Sequence, residues 1–329
     1  MTSPADSPRL SLSRRRWLQS TSAALAGGAA LGLAPPAVAV DAAPVATAAR
    51  PSFRYCLNTS TIRGQDVAVT DQIDIAAAAG YDAIELWIRD VAKYVEGGGS
   101  LPDLKQRIAD AGLTVESSIG FCAWIVDDEQ QRKEALETAR RDMEMIAQLG
   151  GMRIAAPPVG ATNQENLDLF AAAQRYRALL ELGASIGVVP QLELWGFSKS
   201  LSRLGEVMFV AVESGHPQAC VMPDVFHIYK GGSDFTGLNL LAGDAMHCFH
   251  MNDYPADPPR DKIGDADRVY PGDGVAPLGE ILRGLHRCGF RGVLSLELFN
   301  REYWQQDPQL VANTGLRKMK ESVAKAFAT

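Results

Sequence analysis

Residues 188–224 read VVPQLELWGFSKSLSRLGEVMFVAVESGHPQACVMPD, and this stretch contains the unit from which the fold is built. An apolar run, Val188–Leu194, is followed by an amphipathic helix pattern over Leu201–Ser214 and by a second short apolar run, Ala219–Pro223. A strand, a helix and a strand in this order are typical of a βαβ unit, whose two strands lie parallel in one sheet. The stretch therefore predicts an α/β protein with a parallel sheet.

The same alternation extends from Phe53 towards the C-terminus. Eight apolar runs predict strands: Phe53–Asn58, Ala83–Trp87, Thr114–Ile119, Arg153–Ala156, Val188–Leu194, Ala219–Pro223, Met246–Met251 and Gly292–Leu298. Helix patterns lie between them, among them Leu101–Ala111, Asp128–Leu149, Gln164–Ile186, Leu201–Ser214 and Leu278–Cys288. No Gly/Ser linker interrupts residues 51–329, so we expect one domain, a (β/α)8 TIM barrel. A further helix is expected around Phe235–Ala242, and the long loop from Asp253 to Val275 is a candidate lid.

The first forty residues predict an export signal rather than part of the barrel. A basic cluster, Arg14–Arg16, precedes a short Ala/Gly/Leu stretch and a small-residue cleavage pattern. The cluster resembles the bacterial twin-arginine signal, with Trp17 where that signal usually has Phe. The apolar stretch Ser20–Leu33 is shorter than the roughly 20 residues of a membrane span. We therefore expect residues 1–40 to be a cleaved signal peptide, residues 41–50 a flexible lead-in, and the mature protein to be periplasmic or otherwise exported.

Composition limits the classes of partner. The net charge of −7 offers no basic surface for a nucleic acid, and 47% hydrophobic residues are typical of a globular protein with a large core. The five cysteines are an odd number without CxxC spacing, so a disulfide framework is not expected. A small molecule is the expected partner, with no stable membrane span after signal removal; a homo-oligomer is compatible with the sequence.

Four consecutive predicted strands each end in a side chain that can bind a metal ion: Glu193, Asp224, His250 and Glu297. In a (β/α)8 barrel the C-terminal ends of the strands meet at the active site. Three carboxylates and one imidazole suit a single divalent ion such as Mn, Mg or Co, and Zn is also compatible. Any one of these residues alone could equally be a salt-bridged strand end. Four at matching positions favour a shared ion.

Several motifs resemble those of the xylose-isomerase-like sugar isomerase/epimerase superfamily, with inosose (2-keto-myo-inositol) isomerase as the most similar branch. They are Leu57–Thr61, Asp224–His227, His250–Asp253, Asp267–Gly274 and Ser295–Phe299. The resemblance covers essentially the whole mature chain and is strongest after Glu193. It implies a TIM barrel whose divalent metal is held by the four residues above.

The resemblance also implies substrate contacts from His227 and from Arg268. One departure is Lys199, which stands where epimerases of the tagatose type have a further Glu, so a free-hexulose epimerase is not favoured. Trp195 follows strand five and can stack on a sugar ring or simply pack. Asp253 is expected to orient His250 or to close the loop that follows it. At the end of strand two, Glu85 and Trp87 are expected either to contact substrate or to be buried between strands.

Such a site suits proton transfer next to the ketone of a keto-sugar or inosose, through an enediolate that a metal would stabilise. Glu193 and Glu297 are the candidate catalytic acid/base pair. Two alternatives remain. One is a dehydratase or hydratase, a lyase that acts on a 3-keto-sugar or keto-glycoside with the same metal site; the other is a non-catalytic sugar-binding barrel. The apurinic endonuclease branch of the superfamily is disfavoured by only five histidines and an acidic charge balance.

Overall fold

Eight parallel strands form the centre of the structure, a computed structural model that describes residues 53–328. The strands of this part of the chain are β1 (Arg54–Asn58), β2 (Ala83–Trp87), β3 (Thr114–Ile119), β4 (Arg153–Ala156), β5 (Val189–Glu193), β6 (Val221–Met222), β7 (Cys248–His250) and β8 (Val293–Leu296). The expected signal peptide and lead-in lie outside the described residues. In residues 53–328, no helix is both long enough and apolar enough to cross a membrane.

Nine α-helices accompany these strands within the same residues. They are α1 (Val69–Ala79), α2 (Ile88–Glu96), α3 (Leu101–Asp110), α4 (Glu129–Gln148), α5 (Leu169–Ile186), α6 (Leu204–Glu213), α7 (Val225–Lys230), α8 (Leu278–Arg287) and α9 (Pro308–Ala326). Short 3-10 helices cover Thr59–Gln65, Phe235–Leu240, Gly243–Ala245, Asp265–Asp267 and Tyr303–Gln305. The predicted TIM barrel is confirmed.

The strands are hydrogen-bonded into two sheets. One sheet has the order β3-β2-β1-β8-β7 and the other β4-β5-β6. Between β6 and β7 the sheets meet through isolated parallel bridges, Val221 with Met246 and Asp224 with His250, and the His250 amide donates to Pro223 O at 2.9 Å. Between β3 and β4 the sheets meet by packing. Gly120, directly after β3, lies so close to the Ile154 side chain of β4 that an added Cβ would be 2.8 Å from Ile154 Cδ1. We call the β6/β7 junction the seam.

Local interactions set the ends of the elements, and several differ from the predictions. Helix α5 begins at Leu169 rather than near Gln164, because the Asp168 carboxylate caps the helix by accepting from the amides of Phe170 (2.9 Å) and Ala171 (3.2 Å). Strand β6 is shorter than the predicted Ala219–Pro223. It ends before Pro223, since this residue has no N–H to donate to a neighbouring strand. The helix expected around Phe235–Ala242 is a short 3-10 helix, and α7, directly after β6, was not anticipated.

The long loop after β7 is fastened by one buried carboxylate. Asp253 accepts hydrogen bonds from four backbone amides, and residues 253 and 269 also form an antiparallel bridge. The amides belong to Tyr254, Gly272, Gly274 and Ala276, at 2.8–3.1 Å. Of the two roles expected for Asp253, the structure therefore shows loop closure rather than a contact with His250. The loop folds over the barrel end and brings Arg268 into the interior.

Candidate active site

The structure brings the four predicted metal ligands together at the C-terminal end of the barrel. His250 Nδ1 lies 3.2 Å from Glu297 Oε2, 3.5 Å from Asp224 Oδ2 and 3.9 Å from Glu193 Oε1. Glu193 ends β5 and His250 ends β7, whereas Glu297 directly follows β8 and Asp224 follows β6 after Pro223. Two of these residues lie at strand ends of each sheet, so the cluster spans the seam.

The chemistry of this cluster fits a divalent ion. His250 Nδ1 is fully buried and has no hydrogen-bond partner among the described residues, although three carboxylates surround it. An imidazole nitrogen left in this way would be costly unless its lone pair were used. Donor atoms of Glu193, His250 and Glu297 all lie within 4.8 Å of one another, which is compatible with ligation of one ion. Their role as ligands, with Asp224, stays a prediction.

Glu85 lies beneath this cluster, sealed inside the barrel. Its Oε2 is 3.0 Å from His250 Nε2 and accepts hydrogen bonds from Asn58 Nδ2 (2.9 Å) and Ser295 Oγ (2.7 Å). The residue is fully buried. Because a carboxylate only accepts, Nε2 of His250 carries a proton, and in the neutral imidazole the Nδ1 lone pair then faces the other three carboxylates. Of the two roles expected for Glu85, the structure favours burial, with the added function of orienting a ligand.

Glu85, Cys248 and His250 form a second group whose atoms are close enough to hold an ion. Burial raises the pKa of the Cys248 thiol to about 12, and the thiol donates to Glu85 Oε1 at 3.7 Å. Neither Glu85 nor Cys248 lines the cavity, whereas Glu193 and Glu297 do. The set of Glu193, Asp224, His250 and Glu297 is therefore the better candidate.

Arg268 reaches the site from the loop after β7 and is only 1% exposed. Its Nη1 donates to Asp224 Oδ2 at 2.8 Å and to Glu297 Oε2 at 2.9 Å. Its Nη2 donates to Asp265 Oδ1 at 2.7 Å and lies 3.0 Å from His227 Nε2. Since a guanidinium only donates, this last contact requires a neutral His227 that accepts. Both residues predicted to contact substrate therefore lie beside the cluster and hydrogen-bond to each other.

Burial and neighbouring charges determine the protonation of these groups. Burial, together with the charge of Glu297, raises the pKa of Glu193 well above its usual range. For Asp224 burial is the largest single effect and also acts to raise the pKa, but the Arg268 guanidinium together with His227 and His250 outweighs it and lowers the pKa of this carboxyl far below its usual value. Burial and the Arg268 charge lower the pKa of His227, in agreement with a neutral imidazole.

A cavity of about 170 Å³ opens above the cluster. Among its lining residues are six that the sequence analysis named as possible contributors to the site: Trp87, Glu193, Trp195, His227, Arg268 and Glu297. Asp224 and His250 lie behind them, fully buried. Lys199 does not line the cavity, because its amine is paired with Glu165 at 2.7 Å on the surface.

Aromatic side chains form much of the cavity wall, and sequence reasoning missed most of them. Trp87, Phe121, Phe197 and Phe299 line the cavity with Trp195. Successive rings are in contact, with centroids 5.2 Å apart for Trp87 and Phe121, 6.1 Å for Phe121 and Trp195, and 5.2 Å for Trp195 and Phe197. Phe121 and Phe197 are 44% and 49% exposed, so the cavity offers apolar ring surface to a ligand. Their signal in the sequence is an aromatic residue within a few positions of a strand end.

Comparisons with known proteins agree with this fold. A family model described as the xylose isomerase-like TIM barrel matches residues 73–322. Inosose isomerase of Bacillus velezensis is 24% identical over 279 residues, which cover 84% of this chain and 99% of that protein. 3-Dehydroshikimate dehydratase of Pseudomonas putida is 24% identical over 258 residues, which cover 76% of this chain and 39% of that protein. A crystal structure of the IOLI protein with a bound zinc atom has a TM-score of 0.77 and 22% identity, and the match covers 84% of this chain and 100% of that one.

Proposed function

This chain belongs to the xylose isomerase-like TIM barrel family, and on that basis we propose that it is a divalent-metal-dependent isomerase or epimerase of a keto-sugar or cyclitol ketone. The observation that carries the proposal is the position of Glu193 and Glu297. Both carboxylates line the cavity, and both belong to the cluster around His250 Nδ1. Two bases beside one ligand set suit the removal of a proton next to a ketone and its return to the neighbouring carbon or to the opposite face.

Different residues of the site would transfer the proton, contact the substrate and stack on it. Glu193 and Glu297 take up and return the proton, each from its own strand at the cavity floor. His227 and Arg268 are placed to contact the substrate, since both line the cavity, and the hydrogen bonds of Arg268 to Asp224, Glu297 and Asp265 hold it in that position. Trp195 offers a ring face to the substrate. When bound, a divalent ion would act as a Lewis acid and make the carbon-bound proton next to the ketone more acidic.

A dehydratase is the second candidate function. The same two bases can remove the proton next to a ketone, and loss of a hydroxyl from the adjacent carbon then gives an enone and water. The similarity to the dehydratase of Pseudomonas putida favours this alternative. The two reactions differ in product mass, since isomerisation conserves mass and dehydration removes one water.

Deuterium exchange tests the proposal directly. We expect the protein loaded with Mn, Mg, Co or Zn to incorporate solvent deuterium next to the ketone of at least one member of a panel of keto-sugars and inososes, as measured by mass spectrometry. Glu297→Gln removes a base and is expected to slow exchange by about 100-fold or more, the usual contribution of a positioned general base.

Metal content must be measured in the same samples, because Glu297 is also a candidate ligand. The matched control is Glu302→Gln, which removes an exposed carboxylate five positions along the chain and should leave exchange unchanged. Full exchange by the metal-loaded Glu297→Gln variant would rule out the proposed role of this residue.

A further inference from the structure

Arg63 lies on the 3-10 helix that follows β1 and packs against two residues of the cavity wall. Its guanidinium carbon is 4.7 Å from the centre of the Trp87 ring, 5.2 Å from that of Phe299 and 5.3 Å from that of Trp304. Trp87 and Phe299 line the cavity, and Arg63 itself lies outside its lining. Three aromatic rings therefore hold one cation next to the cavity wall, by an attraction that uses the ring faces and leaves the N–H groups available.

The Trp304 ring beside Arg63 is closely packed against the 3-10 helix that carries this arginine. Trp304 Nε1 donates to Ser60 O at 3.2 Å, which ties the ring to the same 3-10 helix. The ring also lies against the backbone of Gly64, where an added Cβ would be 2.3 Å from Trp304 Cγ. Any side chain at position 64 would displace this tryptophan. The position of the Trp304 ring beside Arg63 is thus fixed by contacts with the backbone of residues 60 and 64.

Within residues 53–328, the side chain of Arg63 makes no hydrogen bond and has no carboxylate within ion-pair distance. Arg268, the other arginine at the site, has its donors committed to Asp224, Glu297 and Asp265. The second guanidinium over Trp87 belongs to Arg89, which is paired with Asp90 at 3.5 Å and is more than half exposed. Arg63 is only partly exposed, and its five N–H groups form a fork that matches a carboxylate.

We propose that Arg63 binds a carboxylate on the substrate, so that the site accepts keto-sugar acids or carboxylated cyclic ketones in preference to their neutral counterparts. This inference rests on the proposed function, because it concerns the substrate of the same site. The positions of the groups also suggest the orientation of such a substrate. Its ketone would lie at Glu193 and Glu297, which line the cavity, and its carboxylate would extend towards Arg63 beyond Trp87 and Phe299.

Binding of matched ligand pairs tests this proposal without any need for turnover. D-Fructuronate and D-fructose differ only by a carboxylate in place of a terminal hydroxymethyl group, and D-tagaturonate and D-tagatose form a second such pair. Calorimetric titration of the metal-loaded protein is expected to give a dissociation constant about ten-fold or more lower for the uronate of at least one pair, as a charge-assisted bidentate contact would produce.

Three variants identify the group responsible. Arg63→Gln should abolish the preference for the uronate and leave the affinity for the neutral ketose unchanged, whereas Arg63→Lys should keep part of the preference. Arg89→Gln is the matched control, since it removes the other cation over Trp87, and should keep the full preference. Equal or undetectable binding of acid and ketose by the parent protein, or an unchanged preference in Arg63→Gln, would overturn the proposal. Failure of the proposed function would appear separately, as absence of deuterium exchange with any ligand.

Discussion

Glu85 shows how much the function of a residue here depends on contacts between distant strands. Its carboxylate is linked to Asn58, His250 and Ser295, which come from β1, β7 and β8. In sequence it is an isolated acid in an apolar strand, a pattern equally typical of a residue that contacts substrate. Only the register of four strands places it beneath the histidine, so its orienting role could not be derived from spacing.

Replacing Glu85 tests this orienting role. In Glu85→Gln the amide can donate to His250 Nε2, which favours the tautomer with its proton on Nδ1, the nitrogen that faces Glu193, Asp224 and Glu297. We expect the affinity for Mn or Zn to fall by about 10- to 100-fold, as is usual when the partner of a ligating histidine is lost. Competition with a fluorescent chelator measures this change. Glu116→Gln, which removes a carboxylate on β3 that is paired with Arg54, controls for general destabilisation; an equal loss in both variants would contradict the orienting role.

The candidate ligands, in contrast, could be found from the sequence, because their signal is local. Each of Glu193, Asp224, His250 and Glu297 ends or directly follows an apolar run, and the barrel brings equivalent strand ends together. Arg63 carries no such signal. Its partners Trp87, Phe299 and Trp304 are up to 241 positions away, and nothing in the residues around it indicates that they meet.

Among the elements, α4 carries an acid whose burial makes stability depend on pH. Burial raises the pKa of Asp142 to about 6, with a smaller opposing effect of Arg141. Because the pKa in the folded protein is above the value near 3.8 of a free aspartate, the protonated group supports folding fully below about pH 4. This contribution is lost as the pH rises through about 6.

Asp142→Asn should therefore increase the free energy of unfolding at pH 7 by on the order of 1 kcal/mol, after allowance for solvent screening of a partly exposed group. The gain should shrink towards zero near pH 4, where the parent residue is protonated. Denaturant unfolding at a series of pH values measures this difference. Glu144→Gln, at an exposed position of the same helix, should show little change, and a gain for Asp142→Asn that does not vary with pH would contradict the explanation.

The elements themselves were easier to predict than their ends. Eight strands follow from the alternation of apolar runs and helix patterns, whereas the start of α5 depends on capping by Asp168 and the end of β6 on Pro223. Helix α7 has only six residues, too few to give a clear periodic pattern. The loop after β7 could be recognised as functional by its length, but its attachment through Asp253 depends on amides about 20 residues away.

In the molecule as a whole, the candidate metal ligands are divided between the two sheets. Glu193 and Asp224 lie at strand ends of the sheet of β4, β5 and β6, and His250 and Glu297 at strand ends of the sheet of β7 and β8. At the seam the backbone contacts of the sheets are few: two isolated bridges and the 2.9 Å hydrogen bond from His250 N to Pro223 O. A shared ion would therefore join the two sheets where their backbone pairing is sparse.

Metal binding should accordingly stabilise the fold and the seam in particular. At a free metal concentration about 100 times the dissociation constant, the expected stabilisation is about 2.7 kcal/mol, visible as a higher melting temperature than in chelator. Hydrogen exchange of the amide of His250 should slow more than that of amides within β1 and β2. Asp224→Asn should reduce both effects, and identical melting of the parent protein with Mn, Zn or chelator would contradict a bound divalent ion.

The two-and-two division of donors across the seam also bears on recombination between relatives. A chimaera that exchanges residues 150–245 replaces β4, β5 and β6 as a block and brings in a foreign Glu and Asp, while the native His and Glu remain. Every hydrogen-bonded strand ladder is then inherited intact from one parent, and the two parents meet at the seam, at the β3/β4 junction, and where α4 packs against α5 and residues 235–240 against α8. Such hybrids should fold readily, yet differ in how well their donors align, so metal affinity offers a direct screen for compatible parents.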